Sequence, residues 1–238
     1  AGTYTIVATN ATTACVSNMS GSATVIINPL PTAFTITGGG SYCAGGTGVT
    51  VGLGGSQSGV NYQLMNGSTP MGAPVAGTGT SISFGLQTTT GSYTVVATNT
   101  STSCVNTMTG SVNIVVNPLP TVYTVSSTSS TYCAGGGGVH IWLNSSETGV
   151  NYQLYLAGSP VGSPAPGLTG LAISFGLKTG LGTYTVVAID GTTGCTSNMT
   201  GTASIVVDPL PTVYNVGGGG SFCPGGAGVN VTLSASDN

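Results

Sequence analysis

Apolar and polar residues alternate along this chain in short runs, and the runs recur. Between Pro29 and Asn117, Phe34 and Ile36 share one face, then Val49, Val51 and Leu53, then Val60, Tyr62 and Leu64. Ile82, Phe84 and Leu86 follow, then Tyr93, Val95 and Ala97, then Val112, Ile114 and Val116, with a weaker run near Val75. A period of two predicts half-buried strands, and no stretch carries the 3.6-residue period of a helix. Seven strands in about 90 residues, punctuated by glycine-rich turns, predict a β-sandwich.

The pattern then repeats. Tyr123 and Val125, Val139, Ile141 and Leu143, Val150, Tyr152 and Leu154, Ile173, Phe175 and Leu177, and Tyr184, Val186 and Ala188 restate each element about 90 residues later. The joints are nearly identical: Asn28-Pro29-Leu30-Pro31-Thr32, Asn117-Pro118-Leu119-Pro120-Thr121 and Asp208-Pro209-Leu210-Pro211-Thr212. Proline fixes φ, removes a ladder donor and pushes the preceding residue towards extended backbone, so each Pro-Leu-Pro step should end one strand and enter the next unit stiffly. The predicted organisation is the last two strands of a unit in residues 1–28, complete units in 29–117 and 118–208, and the first two strands of a further unit in 209–238. Two strands alone are marginal in water, so both end pieces are expected to be completed by more chain or by another molecule.

Charge is nearly absent. Among 238 residues the single Lys or Arg is Lys178, and the four carboxylates are Glu147, Asp190, Asp208 and Asp237. One cation cannot neutralise a phosphate track, so nucleic acid is excluded as the main partner. The longest apolar runs, such as Val25-Ile26-Ile27, are far shorter than a membrane-spanning helix. A surface with so little charge suits a molecule that is anchored, glycosylated or associated with copies of itself.

Six cysteines fall at matching places: Cys43, Cys133 and Cys223 after one strand, and Cys15, Cys104 and Cys195 after another. No C-x-x-C pair suggests zinc, and the regular spacing reads as a disulfide framework of an oxidising, extracellular setting. Spacing leaves the connectivity open. Cys43 with Cys104 and Cys133 with Cys195 would close each unit on itself, but in a seven-strand sandwich these cysteines fall at opposite ends. Cys43 with Cys195 would instead join neighbouring units head to tail. Bonds between chains and free thiols are the remaining alternatives.

Gly91-Ser92-Tyr93-Thr94-Val95-Val96-Ala97 and Gly182-Thr183-Tyr184-Thr185-Val186-Val187-Ala188 resemble strand F of the immunoglobulin fold, and Gly2-Thr3-Tyr4-Thr5-Ile6-Val7-Ala8 nearly does. The resemblance implies tandem immunoglobulin-like sandwiches arranged as a rod, with Tyr4, Tyr93 and Tyr184 as tyrosine corners tying a loop to the backbone. Val95 and Val186 stand where that family carries its core cysteine. The wider pattern of the Pro-Leu-Pro-Thr joint, Ser41-Tyr42-Cys43-Ala44-Gly45-Gly46, Gly59-Val60-Asn61-Tyr62-Gln63-Leu64 and Gly194-Cys195 resembles the tandem immunoglobulin-like or PKD-like repeats of giant secreted surface adhesins in gliding and biofilm-forming bacteria. That resemblance implies a stalk or adhesive fibre, with adjoining repeats or copies of the chain as partners.

His140 and Trp142, the single His and Trp, alternate with Val139, Ile141 and Leu143 and should project outward, as a surface contact for a sugar ring or a neighbouring filament. A carbohydrate-binding array built on them is the alternative function. Glu147, Asp190 and Asp208 are scattered, which gives no acid–base pair and no enzyme. No carboxylate cluster suits calcium, no residue set calls for a cofactor, and Gly38-Gly39-Gly40 and Gly135–Gly138 read as flexible loops rather than phosphate cradles. Sequons at Asn10, Asn18, Asn66, Asn99, Asn144, Asn198 and Asn230 are candidate glycosylation sites that would solubilise a surface lacking charge.

Overall fold

The computed structural model describes residues 1–237 and divides into two compact units, Ala1–Asn117 and Pro118–Asn238. The first opens with two small ladders, β1 (Gly2–Tyr4) with β4 (Ala23–Val25) and β2 (Val7–Thr9) with β3 (Val16–Asn18). These strands leave their apolar side chains exposed, Tyr4 by 59%. The rest of the unit is a sandwich of β5 (Ile36–Gly38), β6 (Gly40–Cys43), β7 (Val49–Leu53), β8 (Val60–Asn66), β9 (Thr69–Ala76), β10 (Ile82–Gln87), β11 (Gly91–Asn99), β12 (Val105–Thr107) and β13 (Val112–Asn117). One sheet runs β5-β7-β10. The other runs β6-β13-β11-β8-β9, with β12 beside the far end of β11.

The second unit repeats this arrangement with β14 (Val125–Ser127), β15 (Thr131–Cys133), β16 (Val139–Leu143), β17 (Val150–Leu156), β18 (Ser159–Pro166), β19 (Ile173–Lys178), β20 (Gly182–Asp190), β21 (Thr196–Asn198) and β22 (Ala203–Asp208). It ends in the ladder β23 (Val216–Gly218) with β24 (Val231–Leu233). Each sandwich is immunoglobulin-like: two sheets whose inward residues alternate with outward ones around one core. In the first unit Val51 and Leu53 meet Tyr62, Leu64, Tyr93, Val95 and Ile114, and in the second Ile141 and Leu143 meet Tyr152, Leu154, Tyr184, Val186 and Ile205. Burying such side chains contributes about 1.5–3 kcal/mol each.

Three differences from the sequence reading have local causes. Gly38-Gly39-Gly40 is not a flexible loop but the crossover by which the chain leaves the β5 sheet and joins the other as β6. A side chain on Gly38, at φ +90°, would strike the Thr50 carbonyl, and one on Gly39 would lie 2.8 Å from the Val112 Cβ. At Gly38 and Gly39 the crossover is thus packed too tightly for a side chain. In the second unit Ser127–Ser130 makes the same crossing, and Gly135–Gly138 forms the turn after β15 instead.

Leu86 and Leu177, expected inside, point outward and are 56% and 61% exposed. Gly85 and Gly176, at φ +76° and +75°, sit where the register shifts, and the bulge reverses the alternation beyond it. The cores gain Met108 and Met199 instead. Each plugs the gap beside the first strand and accepts a backbone N–H on sulfur, Phe34 N at 3.4 Å and Tyr123 N at 3.3 Å.

One edge of each sheet is protected mainly by backbone geometry rather than by charge. β9 carries Pro70 and Pro74, and β18 carries Pro160, Pro164 and Pro166, while β10 and β19 carry the bulges just described. Proline removes the donor an incoming strand needs and a bulge twists the edge away, so lateral strand addition is opposed at these strands, and β19 also ends in Lys178. Opposite β9 and β18, bulges in the pairing leave carbonyls that Gln63 and Gln153 satisfy, with Nε2 of each donating to Leu64 O and Leu154 O at 2.8 Å. Among the described residues no buried side-chain polar atom lacks a partner.

Candidate functional site

The residues that recur with the same contacts in both units gather at the Pro-Leu-Pro joints. Pro31 O accepts from Asn106 Nδ2 at 2.7 Å, and Pro120 O accepts from Ser197 Oγ at 2.8 Å. One residue on, Thr32 N donates to Gln57 Oε1 at 2.6 Å, while Thr121 donates from N and Oγ1 to the Glu147 carboxylate at 3.0 and 2.6 Å. In the last piece Thr212 N donates to Asp237 Oδ2 at 2.8 Å. Gln57, Glu147 and Asp237 occupy corresponding loop positions, so a neutral amide serves where a carboxylate does. The Glu147 and Asp237 carboxylates thus anchor the joints. Proline restricts φ along each joint, and these bonds fix the joint to the unit that follows. Pro29, Pro118, Pro209 and Pro211 complete the three joints and add the same φ restriction.

Glu147 and Asp190, scattered in sequence, line one groove of the second unit together with Pro118, Pro120, Thr121 and Thr169. Both are occupied. Asp190 accepts the Thr193 and Thr192 N–H groups at 2.7 and 2.9 Å, and these bonds hold its carboxyl below the usual carboxylate range. The corresponding residues of the first unit are the neutral Gln57 and Asn99. The Tyr214 hydroxyl and the Thr212 N–H likewise hold Asp237 low. Asp208 lies at the end of β22, opposite Cys133. Among the described residues no group of three or more His, Cys, Asp or Glu is placed to hold a metal ion. Among the described residues no helix is long and apolar enough to cross a membrane.

Tyr93 and Tyr184 are buried, and their hydroxyls donate to Thr89 O at 2.7 Å and Gly180 O at 3.0 Å, four residues upstream. Tyr4 is exposed and its hydroxyl makes no such bond among the described residues. A second buried pair, placed inward by the alternation, has hydroxyl partners that the sequence did not show: the Tyr62 hydroxyl accepts Gln57 N at 2.8 Å and the Tyr152 hydroxyl accepts Glu147 N at 3.0 Å. They tie the joint-anchoring loop to the core. The recurring Gly-Val-Asn-Tyr-Gln signalled an important strand, and the hydroxyl's role depended on a loop that folds back over it.

The cysteines occupy opposite ends of each sandwich. Cys43 ends β6, level with Asn117 where the chain leaves the first unit, and Cys104 sits in the β11–β12 turn, its sulfur 3.9 Å from Asn28 O where the chain enters. Eight residues of β11 separate those levels, about 26 Å at about 3.3 Å per residue, against the 4–7 Å between Cα atoms that a disulfide spans. Cys133 and Cys195 are placed likewise in the second unit. Cys15, Cys104, Cys133 and Cys223 hold free thiols, and Cys43 and Cys195 are each disulfide-bonded. Closing each unit on itself is thus excluded.

His140 and Trp142 project from the outer face of β16, as the alternation required. Their rings stack with centroids 5.6 Å apart, and His140 Nε2 lies 2.7 Å from Ser174 Oγ. Of the sequons, Asn10 and Asn99 hold tight turns through Oδ1 and Asn144 Oδ1 accepts Thr124 N, which leaves their Nδ2 groups uncommitted. Asn66 Nδ2 donates to Thr90 O beneath Gly91. Asn18 and Asn198 end β3 and β21, and Asn230 is exposed just before β24.

No family model matches the chain, and neither does any curated protein. Solved structures do match at low identity. The fibronectin(III)-like modules of Clostridium thermocellum CbhA are 16% identical, with 74% of this chain and 95% of that one covered and a TM-score of 0.37. Murine CEACAM1b is 12% identical over 73% of this chain and all 100% of its own, with a TM-score of 0.35. The human OSCAR ligand-binding domain is 13% identical over 74% and 100%, with a TM-score of 0.31.

Proposed function

We propose that this chain is a structural repeat segment of an extracellular fibre or cell-surface adhesin stalk, giving length, stiffness and protease resistance. The observation that carries the reading is the parallel pairing of β6 with β13 and of β15 with β22. Each pair joins the entering part of a unit to its departing strand. Tension on the two ends of a unit therefore pulls the paired strands lengthwise in opposite directions, and their hydrogen bonds share the load instead of opening one at a time. The joint anchors at Thr32 and Thr121 deliver that load to the fold. Partners are adjoining repeats or further copies in series, since the edges oppose lateral pairing. Glycans on Asn10, Asn99 and Asn144 would supply the solubility that charge does not.

Single-molecule pulling of the full chain under reducing conditions tests this. Each sandwich should open in one force peak with a length gain of about 30 nm, from about 90 residues at about 3.6 Å each. Extension without resolved peaks would refute a load-bearing role. The second reading, polysaccharide recognition by the array, is favoured by the His140–Trp142 stack, which presents a fixed aromatic surface beside the Ser174 hydroxyl. Specific glycan-array binding lost in Trp142→Ala would establish it.

A further inference from the structure

We infer that the Asp208–Pro209 bond is a self-cleaving site, cut in mild acid by the Asp208 carboxylate itself. Asn28 and Asn117 precede the first two joints and Asp208 precedes the third, and no other Asp-Pro step occurs in the chain. The other carboxylates are committed: Glu147 to Thr121, Asp190 to Thr192 and Thr193, and Asp237 to Thr212 and Tyr214. Asp208 is exposed, and among the described residues its side chain accepts no hydrogen bond and pairs with no cation. Its backbone is engaged instead, since the Ala134 N–H donates to Asp208 O at 2.9 Å. A free nucleophile and a polarised carbonyl therefore meet in one residue. Asn117 O accepts the Ala44 N–H at 2.8 Å in the same way, but its side chain is an amide, a far weaker nucleophile.

Rotation about χ1 brings an Asp208 carboxylate oxygen onto the carbonyl carbon of the same residue, so no association entropy opposes the attack. The new C–O bond closes a cyclic anhydride as the C–N bond to Pro209 breaks. The electron pair of that bond stays on the proline nitrogen, which takes a proton from the acid and leaves as a secondary amine. Water then opens the anhydride, restoring the Asp208 side chain and adding a C-terminal carboxyl. The Ala134 N–H stabilises the charge that builds on the carbonyl oxygen, as one donor of an oxyanion hole does. Proline has no N–H, so its nitrogen cannot close on the side chain and the competing route to isoaspartate is blocked. Of the strands paired with β22, β15 sets the Cys133 thiol opposite Asp208, while β20 reaches only Ile205 and brings Tyr184 opposite Ala203. Asp208 is the last residue of β22, so the cut leaves both sandwiches whole and frees the chain from Pro209 onward. In the stalk proposed above this is a point of acid release, and the chemistry does not depend on that reading.

The full chain is held in mild acid and at neutral pH and followed by intact mass spectrometry. In acid two products are expected, one ending at Asp208 and one beginning at Pro209, together heavier than the chain by one water. In heavy-oxygen water the label should enter the Asp208 end. Asp208→Asn should lower cleavage to that of the Asn117–Pro118 step. Ala134→Pro removes the backbone donor, and proline already stands at the corresponding position as Pro224; cleavage should slow about tenfold. Unfolding the unsubstituted chain in urea removes the same donor and should slow it likewise. No scission in acid, undiminished scission in Asp208→Asn, or equal scission at the two Asn-Pro joints would overturn the inference. A rate unchanged both in Ala134→Pro and in urea would overturn the part assigned to Ala134. Pulling at neutral pH, where the bond is intact, judges the stalk separately from any of these results.

Discussion

The same strand motif occurs three times in this chain with three different surroundings, which makes its tyrosine a controlled experiment. Tyr93→Phe and Tyr184→Phe keep rings that are 0% and 1% exposed, so core packing is preserved and the oxygen alone is lost. Each change removes one hydroxyl donation, to Thr89 O or to Gly180 O. A buried intramolecular hydrogen bond contributes about 1 kcal/mol net, and stranding its partner can raise the cost towards about 3 kcal/mol. Thr89 is exposed and Gly180 half-buried, so water can replace the lost donor and the cost should stay near the lower figure. For a sandwich of about 90 residues, about 1 kcal/mol lowers Tm by about 5 °C. Tyr4→Phe alters a side chain that is already 59% exposed and should shift nothing beyond about 0.5 kcal/mol. Scanning calorimetry of the three variants decides it. Unchanged melting for Tyr93→Phe and Tyr184→Phe, or an equal loss in Tyr4→Phe, would show that the hydroxyl is not what stabilises this corner.

Gly167→Ala should cost about 2 kcal/mol, because its Cβ would collide with the Glu147 carbonyl and lie 2.7 Å from the Tyr152 ring; Gly170→Ala, in open space at φ +80°, should cost about half that by thermal melting. Glu147→Gln should leave the second joint intact, as Gln57 does in the first, whereas Glu147→Ala should speed hydrogen exchange at the Thr121 amide. Burial raises the Tyr152 and Tyr184 hydroxyls above the 10.0 of a free tyrosine. Their contribution to stability is therefore complete below about pH 10 and is lost as pH rises from there through the folded values, which urea melts across alkaline pH should show. Asp190 is shifted the other way, so its contribution is present above the ordinary carboxylate range and lost as pH falls through its lowered value. NMR titration should find its loop loosening only in stronger acid than an unbonded aspartate requires.

Much of the fold was legible because burial on one sheet face imposes a period of two, and that period is written into Val49-Val51-Leu53, Val60-Tyr62-Leu64 and Tyr93-Val95-Ala97. The outward placement of His140 and Trp142 followed from the same rule. The period failed at Leu86 and Leu177, where a glycine at positive φ inserts a bulge, an event that depends on the partner strand. It was silent at β6, a four-residue strand whose residues are exposed or half-buried and show no apolar alternation. The anchors Asn106, Ser197 and Gln57 were invisible for a related reason: each is an ordinary polar residue until the fold brings it 75, 77 or 25 positions back to a joint.

The sequence by itself determined the repeat, the strands, the proline-restricted joints and the near absence of charge, since each is a local property of residue type and spacing. The tertiary structure alone decided which sheet each strand joins and that β6 runs parallel to β13. It also decided that Cys43 and Cys195 are disulfide-bonded while Cys104 and Cys133 keep free thiols. These are facts about long-range pairing. Backbone hydrogen bonds are chemically the same wherever they form, so the partner a strand takes is settled by the packing of the whole sandwich and not by its own residues.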